Sequence, residues 1–254
     1  MREPAARIRA GSPLLFWSGV VGAALAGVFL VYAVLDPATV TGARRWIKPA
    51  KFSISFALYF WTLGWMLERM ALSVAWRRRI AVSVVAIMAI EIACIAGQAG
   101  RGVPSHFNET SAFDVGVYAV MGFVIGINTL VLVALATYAT FRWRHADLAE
   151  RAGIVAGLWL IVLGSISGAL ISIHGGHAVG AAEDAAGLPF VGWSNVGGDL
   201  RVAHFLGLHG FQFAPLLAAL SRRATVTYIG SVLWAALVVA MLVAARAGMA
   251  VWSR

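Results

Sequence analysis

Five of the six histidines, His106, His174, His177, His204 and His209, fall in or beside three polar segments of an otherwise apolar chain, and only His145 lies elsewhere. Three neutral imidazoles are the minimum for an open catalytic zinc or non-haem iron site. His106, in SHFNET, could join His174 and His177 in such a set, with His204 as a further ligand; the same rings could instead ligate a haem. His174 and His177 are three apart, a spacing that lets both ligate from a helix, yet Gly175 and Gly176 between them predict a helix end. His204 and His209 are separated by about 140° around a helix, so a regular helix cannot bring both to one ion. His209 shares a face with Gln212, and His204 with Arg201 just after Asp199. Asp199 and His209 are candidate catalytic groups.

Glu91, Cys94, Gln98 and Arg101 are spaced by three, four and three residues and so line one stripe of a helix. A carboxylate inside a spanning helix is costly and normally faces a cavity or a partner. Glu91 could therefore serve as proton relay, general base or metal ligand; its plain structural alternative is an ion pair with an arginine or lysine. Lys48, Lys51 and Arg101, with Arg201, Asn108 and Gln98, are candidates to hold an anionic group such as a lipid phosphate, a carboxylate or a haem propionate. Several chemistries are excluded. No nucleophile elbow, P-loop or dinucleotide fingerprint occurs in a plausible setting. The single cysteine, Cys94, rules out an internal disulfide and any cysteine-based zinc or iron–sulfur centre. Six histidines are too few for a membrane di-iron desaturase, and residues 226–245 contain no lysine to carry a retinal.

The elements that must position these groups are membrane helices. The chain has 254 residues, 61% hydrophobic and 12% charged, with a mean hydropathy of +0.83. A soluble domain carries about a quarter charged residues, so a water-soluble, disordered or disulfide-stapled chain is excluded. The expected fold is all-α: a polytopic bundle of about seven transmembrane helices in a single domain over 1–254, with spans near 14–35, 53–75, 80–99, 114–140, 153–173, 203–220 and 226–245. The run at 14–35 is longer than the core of a secretory signal and is expected to be retained. Basic residues gather at helix ends, which argues against nucleic acid as the partner of the +9 net charge. Arg77 to Arg79, Arg142, Arg144, Arg151, Arg222 and Arg223, with Arg2, Arg7 and Arg9, share one side, which predicts a cytoplasmic N-terminus and an external C-terminus. The loop DPATVTGARRWIKPAKF breaks this pattern, since Arg44, Arg45, Lys48 and Lys51 fall on the outer side. Either helix 1 is misassigned or the segment lies at the interface, or these cations meet something anionic. GIVAG and GSISG in helix 5 permit close helix contact, Pro215 predicts a kink, and SRRAT makes helices 6 and 7 an antiparallel pair.

At KPAKFSIS, QAGRGVPSHFNET and GGDLRVAHFLGLHGFQ the sequence resembles a group of uncharacterised bacterial multi-pass membrane proteins. The resemblance runs from helix 2 to helix 6 and implies a place in the bacterial cytoplasmic membrane, but no activity or cofactor. The residues themselves leave three readings. The first is a metal- or haem-dependent membrane enzyme or redox protein with its site on the outer face. The second is a small-solute or proton-coupled transporter or channel using Glu91 and Asn128. The third is a non-catalytic subunit or sensor.

Overall fold

The structure, a computed structural model, describes residues 9, 11–185, 187–188 and 191–251. Arg2 and Arg7 of the expected cytoplasmic cluster lie outside the described residues. Seven long helices follow one another among the described residues: α1 (Pro13–Leu35), α2 (Ile47–Arg69), α3 (Val74–Arg101), α4 (Ala112–Phe141), α5 (Leu148–His174), α6 (Leu200–Ser221) and α7 (Ala224–Arg246). Two short antiparallel ribbons interrupt them, β1 (Thr39–Val40) with β2 (Ala43–Arg44) and β3 (Ala178–Val179) with β4 (Gly198–Asp199).

Six of the helices, all but α2, are long and apolar enough to cross a membrane. The protein is a multi-pass integral membrane protein. The remaining expected span, helix α2, falls outside that set. Helix α2 has 23 residues, about 35 Å at the α-helical rise, but it carries Lys48, Lys51, Glu68 and Arg69 within its own length. The boundary near residue 75 moves as well. The chain leaves helix α2 at Met70, and the Ser73 hydroxyl caps a new helix by accepting from the Trp76 N–H at 3.3 Å. Arg77 to Arg79 therefore belong to the first turns of α3, not to a loop.

The chain forms two compact units, Met1–Val131 and Leu132–Arg254. In the first, small residues set the α1–α2 spacing: Gly22 faces the Ser53 carbonyl and Ala57, and a Cβ on Gly19 would fall 2.3 Å from the Trp61 indole nitrogen. The β1–β2 turn uses left-handed backbone at Thr41 and Gly42. Asp36, just past α1, accepts hydrogen bonds from the Ala38 N–H at 3.0 Å, the Trp46 indole at 2.7 Å and Arg45 Nε at 2.5 Å. Those donors hold its carboxyl below the usual range. Arg45 also reaches the Gly100 carbonyl at 3.2 Å, so the α1–α2 and α3–α4 connections lie at the same end of this unit.

In the second unit α5 and α6 meet along glycines. A Cβ on Gly164 would stand 2.4 Å from the Leu208 nitrogen, and one on Gly153 2.7 Å from the Ala218 Cβ. Such small-residue seams let helices approach where water exclusion gives no drive. Helix α6 turns directly into α7 through Arg222 in a left-handed conformation, and Trp234 of α7 stacks on Phe213 and donates to the Leu206 carbonyl at 2.9 Å.

Candidate functional site

In the first unit the polar groups gather where α3 ends. Gly102 takes left-handed backbone, and the Val103 N–H bonds back to the Gln98 carbonyl at 3.1 Å, closing the helix. The loop that follows is ordered by its own side chains. Buried Asn108 accepts from the Thr110 N–H at 3.2 Å and hydroxyl at 2.6 Å, and donates to the Pro104 carbonyl at 3.2 Å. Asp114, in the first turn of α4, binds the loop to α3. Its Oδ1 accepts Gln98 Nε2 at 2.7 Å and Arg101 Nη1 at 2.5 Å, and its Oδ2 accepts the hydroxyls of Ser111 at 2.6 Å and Thr110 at 3.2 Å. Arg101 also donates to the Gln98 amide oxygen. Arg101, Gln98 and Asn108, candidates for holding an anion, are thus engaged in shaping this loop. Asp114 was not anticipated as a site residue; Ser111-Ala-Phe-Asp114 opening an apolar run is the capping pattern that could have revealed it.

The loop presents His106 to α2. Lys48 Nζ lies 3.1 Å from His106 Nδ1, and the Ser105 hydroxyl lies 3.1 Å from the same nitrogen. An ammonium can only donate, so His106 receives it through the lone pair on Nδ1. Phe52, Phe107 and Tyr118 surround the imidazole, with ring centroids 6.1, 6.2 and 5.7 Å away. Glu91 is 4% exposed, and its Oε1 is buried with no hydrogen-bond partner among the described residues. The Ser53 hydroxyl of α2 is buried and unpartnered in the same sense, whereas the Tyr59 hydroxyl donates to Asn128 at 2.9 Å, joining α2 to α4. The stripe inferred for Glu91, Cys94, Gln98 and Arg101 lies on the unbroken helix α3, with Glu91 and Gln98 buried. Lys51 follows Lys48 by three residues on α2 and is half-buried.

In the second unit the histidines are held by protein groups. Helix α5 closes on left-handed Gly175 between His174 and His177, as their glycines predict. His174 Nε2 lies 3.2 Å from the Ala178 carbonyl. His177 Nε2 pairs with Glu183 Oε2 at 3.0 Å, and Glu183 Oε1 accepts the Ala178 N–H at 2.8 Å. Asp199 caps α6 and accepts from the Arg201 and Ser194 backbones at 3.0 and 2.9 Å. Arg201 grips the same carboxylate, with Nε 2.9 Å from Oδ1 and Nη2 2.6 Å from Oδ2. Burial alone would raise this carboxyl, but the Arg201 hydrogen bond and charge outweigh it and hold the group below its ordinary value. His204 Nδ1 donates to the Gly164 carbonyl at 2.7 Å, while His209 packs its ring 4.2 Å from that of Phe205. Among the described residues no three histidine, cysteine, aspartate or glutamate side chains form a group that could hold a metal ion.

No family model matches the chain, nor does any curated protein or any solved structure.

Proposed function

We propose that this multi-pass membrane protein conducts protons across its membrane, and that Glu91 is the exchanging group. One contrast carries the reading. Asp114 and Asp199 accept at least two donors on each oxygen, or an arginine fork and backbone N–H groups, as structural carboxylates do. Glu91, inside an apolar helix, has a buried oxygen with no donor among the described residues. Leaving such an atom unpaired costs about 1–3 kcal/mol, and a group retained at that cost inside a span is commonly one that trades protons or meets a moving ligand. The arginines at helix ends support a bacterial cytoplasmic membrane as the site, with the N-terminus inside.

The test uses the proton itself as probe. Purified protein in proteoliposomes with a pH-sensitive dye inside should dissipate an imposed pH difference, Glu91→Gln should abolish that flux, and Glu91→Asp should restore part of it. Equal flux in wild-type and Glu91→Gln vesicles, both carrying monodisperse protein, overturns the proposal.

A further inference from the structure

The connection between α1 and α2 and the first turns of α2 carry four cations, and three are engaged with other side chains or neighbours within the protein: Arg45 with Asp36, Lys48 with His106, and Lys51 as well. Arg44 differs. Its Nη1 donates to the Ala33 and Val34 carbonyls at 2.8 and 3.0 Å, closing the end of α1 and fixing the guanidinium in place. Its Nε and Nη2 have no partner among the described residues, and the side chain is exposed. Together with Leu30, Ala33 and Val34 of α1 and Ile47 of α2, Arg44 lines a groove of about 350 Å³. Leu30 and Val34 are 42% and 75% exposed on a helix apolar enough to span a membrane. The arrangement is amphipathic along its length, with hydrocarbon below and a preset two-donor edge at the rim.

We infer that this groove holds an acyl chain of an anionic phospholipid while Arg44 pairs with the phosphate. The Nε–Nη2 edge is the side of a guanidinium that meets two phosphate oxygens at once. Basic side chains at the ends of spans are the recognised partners of acidic headgroups. The groove is lined by apolar side chains apart from Arg44, which suits a chain of methylenes and not a soluble anion.

The experiment is lipid retention. Detergent-solubilised protein is incubated with micelles containing equal phosphatidylglycerol and phosphatidylcholine, and bound lipids are counted by native mass spectrometry. Wild type should retain phosphatidylglycerol in preference by about fivefold, the factor expected from one interfacial arginine. Arg44→Gln should erase that preference, Arg44→Lys should keep part of it, and Leu30→Trp should lower all retained lipid while leaving Arg44 in place. Arg44 also closes α1, so Leu30→Trp and Arg44→Lys carry the test if Arg44→Gln does not fold. Equal retention of the two lipids by wild type, an undiminished preference in Arg44→Gln, or unchanged retention in Leu30→Trp overturns the inference. Inorganic phosphate bound with the same dependence on Arg44 in lipid-free micelles overturns it too, since it reveals a simple anion site.

Discussion

Lys48 Nζ and His106 Nδ1 stand 3.1 Å apart, joining the first turn of α2 to the loop between α3 and α4 across 58 positions of chain. The two residues come from elements far apart in sequence, so the pair reports directly on how the loop folds over α2. A charge-assisted bond of this kind is worth about 1.5–3 kcal/mol when partly buried. Lys48→Met and His106→Phe should each destabilise the protein, and the double variant should cost less than the sum by about 1 kcal/mol. Thermal unfolding of the four proteins in one detergent measures the coupling. Strict additivity would mean that the bond contributes nothing.

Asp114→Asn should loosen residues 103–111 without unfolding the helices. The change keeps the shape but removes the charge that gathers Gln98, Arg101, Ser111 and Thr110. Because the Arg101 side chain is 45% exposed, water recovers part of the loss. About 1–2 kcal/mol of local stability should go, well short of the value for a fully buried pair. Amide hydrogen exchange should rise in the loop and stay unchanged in α5 and α6.

Helix periodicity and span length disclosed nearly every element, because the bilayer permits only closed hydrogen-bonding structures and makes apolar runs obligatory. Gly175 and Gly176 announced the end of α5, and the glycines of GIVAG and GSISG announced its seam with α6. Helix α2 was harder. It falls outside the set of apolar spans, and only the Met70–Ser73 break shows where it stops. For the site, the stripe through Glu91 and Arg101 was visible in the spacing. Which partners they choose was not, since Lys48, His106 and Asp114 come from other elements and their meeting depends on loop conformation. The partners of the histidines were hidden for a related reason. Their shared placement beside the same loops is real, but His174, His177 and His204 face a carbonyl, a glutamate and a carbonyl, none of which leaves a periodic trace.

Acid should weaken the cap over α5 and α6. The Asp199 carboxyl sits below its ordinary value because the Arg201 and backbone donors in the fold outweigh its burial. A depressed folded-state value means the group stabilises the fold above the unfolded value, about 3.9, and the contribution fades as pH falls through the folded one. Fluorescence of Trp193, whose ring lies 5.3 Å from that of Phe205, should report loosening of this cap below about pH 4. Asp199→Asn should lower stability at neutral pH and flatten the acid dependence. An unchanged acid profile in that variant would assign the transition to another carboxylate.

The tightest test of the second unit is a single methyl group. At Gly164 an added Cβ would meet the Leu208 nitrogen at 2.4 Å and the Gly207 carbonyl carbon at 2.6 Å, both backbone atoms that cannot rotate away. Gly164→Ala must therefore push α5 from α6, stretching the 2.7 Å bond from His204 to the Gly164 carbonyl. Overpacking of this kind costs about 1–3 kcal/mol. At Gly126 of α4 nothing lies within 4 Å of the added atom, and the same change should stabilise by about 0.5–1 kcal/mol through the helix preference of alanine. His204→Ala separates the two contributions, because it removes the hydrogen bond and leaves a space against Gly168 while the glycine seam stays intact. Unfolding in a common detergent should rank Gly126→Ala above wild type, with both seam variants below it. A Gly164→Ala protein as stable as wild type would show that α5 and α6 do not pack this closely.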